Sequence, residues 1–204
     1  MNRPRQHIRF CTTADGVRIA HATSGEGPSL IRIAGWLTHL DFDWESPIWP
    51  HWFDALSRGH QLVRFDARGI GFSDRDVDAI SLEGWVQDLE AVVDDLGIDR
   101  FSLVGVSQGC STAIAYAARH PDRVSRLVLY GGYVLGPLAQ GARCDPAEQE
   151  EGKRRAETLA ELIDIGWSQP ASAFQRFFAN LFIPEASEEQ KRWLANLQRR
   201  TVDP

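Results

Sequence analysis

Gly105-Val106-Ser107-Gln108-Gly109 lies between an apolar run and an alanine-rich segment, and no other stretch constrains the fold as much. Phe101-Ser102-Leu103-Val104 has the short apolar pattern of a strand buried on both faces. From Cys110 to Arg119 the composition predicts a helix. His120-Pro121 ends it, because proline lacks an N–H and disfavours helix in the residue before it. A serine at such a strand-to-helix junction is lifted above the sheet edge, where the next N–H and the helix N-terminus favour negative charge. Glycines two residues to either side admit a turn too tight for a Cβ. The pentapeptide arises by chance in roughly one chain in fifteen of this length. The setting therefore carries the reading of Ser107 as a nucleophile.

Strand and helix signals alternate up to residue 132. Residues 7 to 11 and 17 to 22 predict two strands joined by the turn Ala14-Asp15-Gly16, an antiparallel hairpin. After the loop Ser24-Gly25-Glu26-Gly27-Pro28, Leu30-Ile31-Arg32-Ile33-Ala34 predicts a strand leading to Gly35-Trp36. An aromatic loop and a short helix from Pro50 to Ser57 precede the strand Gln61-Leu62-Val63-Arg64-Phe65. Ser81 caps a helix with Leu82, Trp85, Val86, Leu89, Val92, Val93 and Leu96 on one face, and Gly97 ends it. Val124 to Tyr130 is the last strand expected.

This order predicts an α/β architecture, a mostly parallel sheet with helices on both faces and right-handed crossovers. Sites in such sheets lie at the carboxyl ends of the strands. Gly35-Trp36, Asp66 to Gly71 and Ser107 fall at those ends and share one rim. Beyond Gly132 the expectation is helical, over 148–165, 170–182 and 187–200, with Ser187-Glu188-Glu189-Gln190 as a capping box. The organisation expected is a core over 1–132 and a helical cap region over 133–204.

At 204 residues and 43% hydrophobic, the chain can bury a substantial core. A net charge of -6 argues against nucleic acid or an anionic membrane as partner, since both need a basic face. Cys11, Cys110 and Cys144 are too few and too scattered for a disulfide framework or a zinc site. No apolar run reaches the length of a membrane span, and the basic N-terminus lacks a following hydrophobic stretch. A cytoplasmic location is expected.

Asp66-Ala67-Arg68-Gly69-Ile70-Gly71-Phe72-Ser73-Asp74, together with Gly105 to Gly109, resembles the α/β-hydrolase family, in which D-x-R-G-x-G-x-S-D follows the fourth strand. Gly35-Trp36 through Trp44-Glu45 is also similar to a hydrolase subgroup found near nucleotide cyclase and regulator domains. The resemblance implies that Ser107 attacks an acyl carbon to form a covalent intermediate. It implies oxyanion donors in the backbone N–H groups of Trp36 and Gln108. The substrate expected is a small ester or related acyl compound, with no metal or organic cofactor. Serine rather than aspartate at the elbow argues against the dehalogenase and epoxide-hydrolase chemistries of the family. Carbon–carbon bond hydrolysis, cofactor-free peroxidation and acyl transfer share the serine elbow and stay open. His39, Phe42 and Trp44, with Trp36 and Trp49, are candidates to line an apolar pocket, packing of the loop being the alternative. The Asp66 to Asp74 segment is expected to be architectural.

Two departures from the family pattern stand out. Ala34-Gly35 replaces His-Gly before the first oxyanion donor, and no acid and histidine follow in the order Ser, Asp or Glu, His. No histidine occurs after His120, and Gly131, Gly132 and Tyr133 occupy the alternative acid position. Asp145 and Asp164 are poor candidates for the acid, and His39 is the spatially plausible stand-in for the base. The expectation is a C-terminally truncated hydrolase holding six strands and a cap, with one sheet edge unpaired unless a homodimer or another association covers it. The alternative is a catalytically silent module that binds a ligand or partner.

Overall fold

The computed structural model describes residues 5–33, 35–133, 146–166 and 173–201. The chain divides into two compact units, Met1–Gly132 with Arg200–Val202, and Tyr133–Arg199 with Asp203–Pro204.

The first unit is an α/β layer structure. Its strands are β1 (His7–Thr12), β2 (Arg18–Ser24), β3 (Ser29–Ile33), β4 (Gln61–Phe65), β5 (Phe101–Val106) and β6 (Val124–Tyr130). They form one sheet in the order β1-β2-β4-β3-β5-β6. β1 pairs with β2 and β2 with β4 antiparallel, while β4, β3, β5 and β6 run parallel. The hairpin closes at Thr13–Val17, with Gly16 in the left-handed region at φ +90°.

Alternation along each strand assigns side chains to the two faces. Ile31 and Ile33 of β3 pack with Val63, Phe65 and Leu103 beneath α3 (Leu82–Asp95) and α4 (Gly109–Arg119). Val86, Leu89, Val92 and Val93 form the buried stripe of α3. Leu30, Leu62 and Val104 on the opposite face pack against Phe53 of α2 (Pro50–Leu56). The helices thus flank the sheet on both sides. Ser81 caps α3 by accepting the N–H of Gly84 at 3.0 Å. Gly97 follows that helix at φ +61°.

One element departs from the expectation. The aromatic loop after β3 contains α1 (Leu40–Trp44), a single turn capped by His39. Ala34, expected to end β3, lies outside the described residues, as do Cys144 and Asp145.

The second unit contains α5 (Pro146–Gly166), α6 (Ala173–Phe182) and, as far as Arg199, α7 (Glu188–Thr201), with no strand among its described residues. Residues 170–172, expected in the middle helix, lie outside the description. The capping box of α7 is formed in both directions. Gln190 N–H donates to Ser187 Oγ at 3.3 Å, and Ser187 N–H donates to Gln190 Oε1 at 2.9 Å.

Candidate functional site

The turn from β5 into α4 holds Ser107 at φ +53°, the one non-glycine with positive φ among the described residues. That conformation costs a side-chain-bearing residue roughly 1–2 kcal/mol, and such strain gathers at functional sites. Two hydrogen bonds fix the turn. Ser107 N–H donates to the Tyr130 carbonyl of β6 at 2.9 Å, and Cys110 N–H donates to the Ser107 carbonyl at 3.0 Å. Gly105 is needed because a Cβ there would stand 2.8 Å from Cys110 Cα and 2.9 Å from Ala113 Cβ.

The loop after β3 runs beside this turn. A Cβ built on Gly35 would lie 3.6 Å from Ser107 Cβ and 3.9 Å from Ser107 Oγ. Trp36, the next residue, is half-buried. Gln108 opens α4 with helical backbone angles and makes no side-chain capping bond. Among the described residues its N–H has no hydrogen-bond partner. Ser107 is thus flanked by the Gly35 backbone on one side and the first turn of α4 on the other. Among the described residues its Oγ has no hydrogen-bond partner either.

Behind the rim lies a buried polar cluster. Asp66, at the end of β4, is fully buried, and its Oδ2 accepts Leu40 N–H at 3.1 Å and Phe72 N–H at 3.0 Å. One carboxylate thereby joins the loop after β3 to the loop after β4. Burial pushes its pKa up, and the two N–H donors oppose that shift. Gly71, at φ +62°, leaves this carboxylate its space, since a Cβ would overlap Asp66 Oδ2.

Arg68 clamps the same turn from outside. Its Nε donates to Asp88 of α3 at 2.8 Å, and its Nη1 donates to Asp15 of the β1–β2 turn at 2.6 Å. The bond from Arg68 holds the Asp15 carboxyl down at about 2. Ser73 bonds the carbonyl of Asp66 and accepts Ala20 N–H, while Asp74 accepts Arg18 N–H. Every polar side chain of Asp66 to Asp74 named here bonds the frame of the rim.

His39, the candidate stand-in for a base, caps α1. Its Nδ1 accepts Phe42 N–H at 3.3 Å, and its ring lies 4.3 Å from that of Phe72 and 6.4 Å from that of Phe42. Burial lowers its pKa. Trp44 stacks on Phe53 at 5.5 Å and, with Trp49, packs against the Leu30–Leu62–Val104 cluster, which accounts for both rings without a ligand. Phe42 lies under the Arg200 guanidinium at 4.7 Å.

The sequence reading passed over Asp43. It is 4% exposed, and burial pushes its carboxyl up to about 7 against the pull of Arg64 and Arg32. Those arginines are partners in register on β4 and β3, and both guanidiniums lie over Phe53, at 4.4 and 5.6 Å. The available signal was two arginines at matching places in neighbouring strands, with one acid close after them. Among the described residues no group of histidine, cysteine and acidic side chains is arranged to hold a metal. Among the same residues no helix is long and apolar enough to cross a membrane.

The chain is similar to the 2-hydroxymuconate semialdehyde hydrolase of Pseudomonas sp. (strain CF600), 35% identical over 133 residues that cover 63% of this chain and 45% of the relative. It is similar to epoxide hydrolase 3 of Xenopus tropicalis, 31% identical over 61% of this chain and 33% of that protein. It spans less than half the length of these two relatives. The solved esterase of Exiguobacterium antarcticum matches 95% of this chain and 68% of its own, with a TM-score of 0.72 and 22% identity. A family model for the alpha/beta hydrolase fold matches residues 28–199. The chain belongs to the α/β-hydrolase fold family.

Proposed function

We propose that this chain is the nucleophile-bearing part of a serine hydrolase that acts on a small ester or related acyl substrate. The observation that carries the reading is Ser107, held in a strained left-handed turn at the head of α4 with the Gly35 backbone beside it. The relatives are named as hydrolases, which supports hydrolysis as the broad class.

In the proposed reaction Ser107 Oγ bonds to the acyl carbon while its proton passes to a base. The Trp36 and Gln108 N–H groups hold the oxygen that becomes negative, an interaction worth about 10²–10³ in rate per donor. The C–O bond to the alcohol then breaks, the alcohol leaves with the proton, and water repeats the sequence on the acyl-serine. In this chain's described residues the imidazole of His39 is engaged as a helix cap. His39 is therefore not assigned as that base.

The test is hydrolysis of a short-chain p-nitrophenyl ester by the chain and by Ser107→Ala, with mass spectrometry of the Ser107 peptide. An acyl adduct on Ser107, and a rate at least tenfold above the variant's, is expected. Equal, near-background rates without an adduct would instead favour a silent ligand-binding module. The lack of a hydrogen-bond partner for Ser107 Oγ among the described residues motivates that second reading.

A further inference from the structure

The loop that carries Trp36 leaves the sheet at the end of β3 and returns through α1. Buried charges stand at both ends of it. Arg32 is the last residue but one of β3, and Asp43 lies in α1. Arg64, in register with Arg32 on the neighbouring strand β4, completes the cluster and is buried as well.

Few bonds hold the returning end. His39 N–H donates to Asp43 Oδ2 at 3.4 Å, and the His39 carbonyl accepts Asp43 N–H at 2.8 Å. Arg64 Nη2 donates to the Leu40 carbonyl at 3.0 Å, while Asp66 accepts the N–H of the same residue. Asp43 thus grips the backbone three residues after Trp36. Its other oxygen, Oδ1, is buried with no hydrogen-bond partner among the described residues, and so is Arg32 Nε. Charge rather than a bond therefore links the two ends of the loop.

Two effects compete for the Asp43 proton. Arg64, Arg32 and the His39 N–H favour the carboxylate, whereas burial and the Asp66 carboxylate favour the acid. α2 meets the two guanidiniums with the uncharged ring of Phe53. Asp41, the other acid of α1, is exposed and accepts a bond from Gln6. Burial wins, and the carboxyl is pushed up to about 7. Once ionised, it gains by reaching water. Unwinding α1 is the least costly route, because a helix of one turn is marginal by itself and the flanking strands need not move. His39 pulls the other way, since burial favours its neutral ring and acid would expel it.

We propose that Arg32, Asp43 and Arg64 form a pH-operated latch on the loop that carries Trp36, closed while Asp43 keeps its proton and loosened as the proton is lost to water. The latch rests on the packing of α1 and stands apart from the serine chemistry. Only its effect on an oxyanion bound by the Trp36 N–H rests on the hydrolase reading.

Amide exchange over residues 36–43 of the full chain reads the latch, each rate being divided by that of an unstructured peptide at the same pH. Expected is a loss of protection of about tenfold or more between pH 5.5 and pH 8, levelling off beyond. Asp43→Asn cannot ionise and shows no such loss as pH rises. Exchange over Ser29–Ile33 of β3 stays slow in both proteins, showing that the sheet is intact. Carboxyl NMR of the wild type needs no variant, and there Asp43 titrates at about 7.

Protection of the loop that ignores pH overturns the proposal, and so does the same loss in Asp43→Asn. A wild-type Asp43 that titrates near 3.8, the value of the free side chain, while the loop stays protected overturns it equally. Ester turnover separates these outcomes from the hydrolase reading. A latch that opens with pH in a chain without turnover sinks the hydrolase reading alone, and turnover with a loop indifferent to pH sinks the latch alone.

Discussion

Ser107 and Gly105 show how a few atoms set the conformation of the elbow. At φ +53° a glycine is relaxed where serine is strained. Ser107→Gly is therefore expected to leave stability unchanged or raise it by up to ~1 kcal/mol, whereas serine to glycine within a regular strand or helix lowers it. Gly105→Ala drives a Cβ against Cys110 and Ala113 and is expected to cost about 1–3 kcal/mol. Urea unfolding of the two variants checks both signs. The glycine requirement was legible because it follows from the turn alone. The Tyr130 carbonyl that anchors Ser107 was not, since pairing of β5 with β6 lies in no local pattern.

At the scale of elements, the β-then-α order and the amphipathic stripe of α3 could be read from spacing, because each is periodic over many residues. α1 could not. It is one turn long, begins with histidine rather than a common capping residue, and sits among aromatics that suit a loop equally well. The architectural role of Asp66 to Asp74 is legible in its glycines, but the partners of Arg68, Asp15 and Asp88, stand 53 and 20 residues away, which spacing cannot show. Arg68→Ala leaves the fully buried Asp88 carboxylate with the backbone N–H of residue 68 but without its guanidinium, and is expected to destabilise by about 3 kcal/mol. Arg68→Lys should not restore it, as one ammonium cannot reproduce the fork that bonds both acids. Thermal and urea unfolding of the pair decide this.

α1 also carries a pH dependence. The folded carboxyl of Asp43 titrates at about 7, above the 3.8 of the free side chain, so the folded state binds more protons between those values. Its contribution to stability is fully present below 3.8 and is lost as pH rises through about 7. Asp43→Asn is expected to gain on the wild type by a few kcal/mol, on the order of 2–4, between pH 4 and pH 8. Urea midpoints across that range test the slope, and a wild type that strengthens relative to the variant with rising pH would refute it.

For the whole molecule, a strand whose apolar residues stand exposed among the described residues has to be held in solution by charge. The net charge of -6 opposes self-association, and salt weakens that repulsion. Light scattering by the chain alone is expected to grow with concentration and salt without settling at a fixed stoichiometry. Val128→Lys should suppress the growth.

Ser107 N–H and the Tyr130 carbonyl are one rung of the ladder, 2.9 Å long, between the last paired strands. The elbow therefore inherits the steadiness of β6. Among the described residues no strand pairs with the outer side of β6, and fraying of such a strand would loosen the rung that holds the serine in its strained angle. A neighbour seated along β6 would still that motion without touching Ser107. In this chain the steadiness of the Ser107 turn is set one strand away from it.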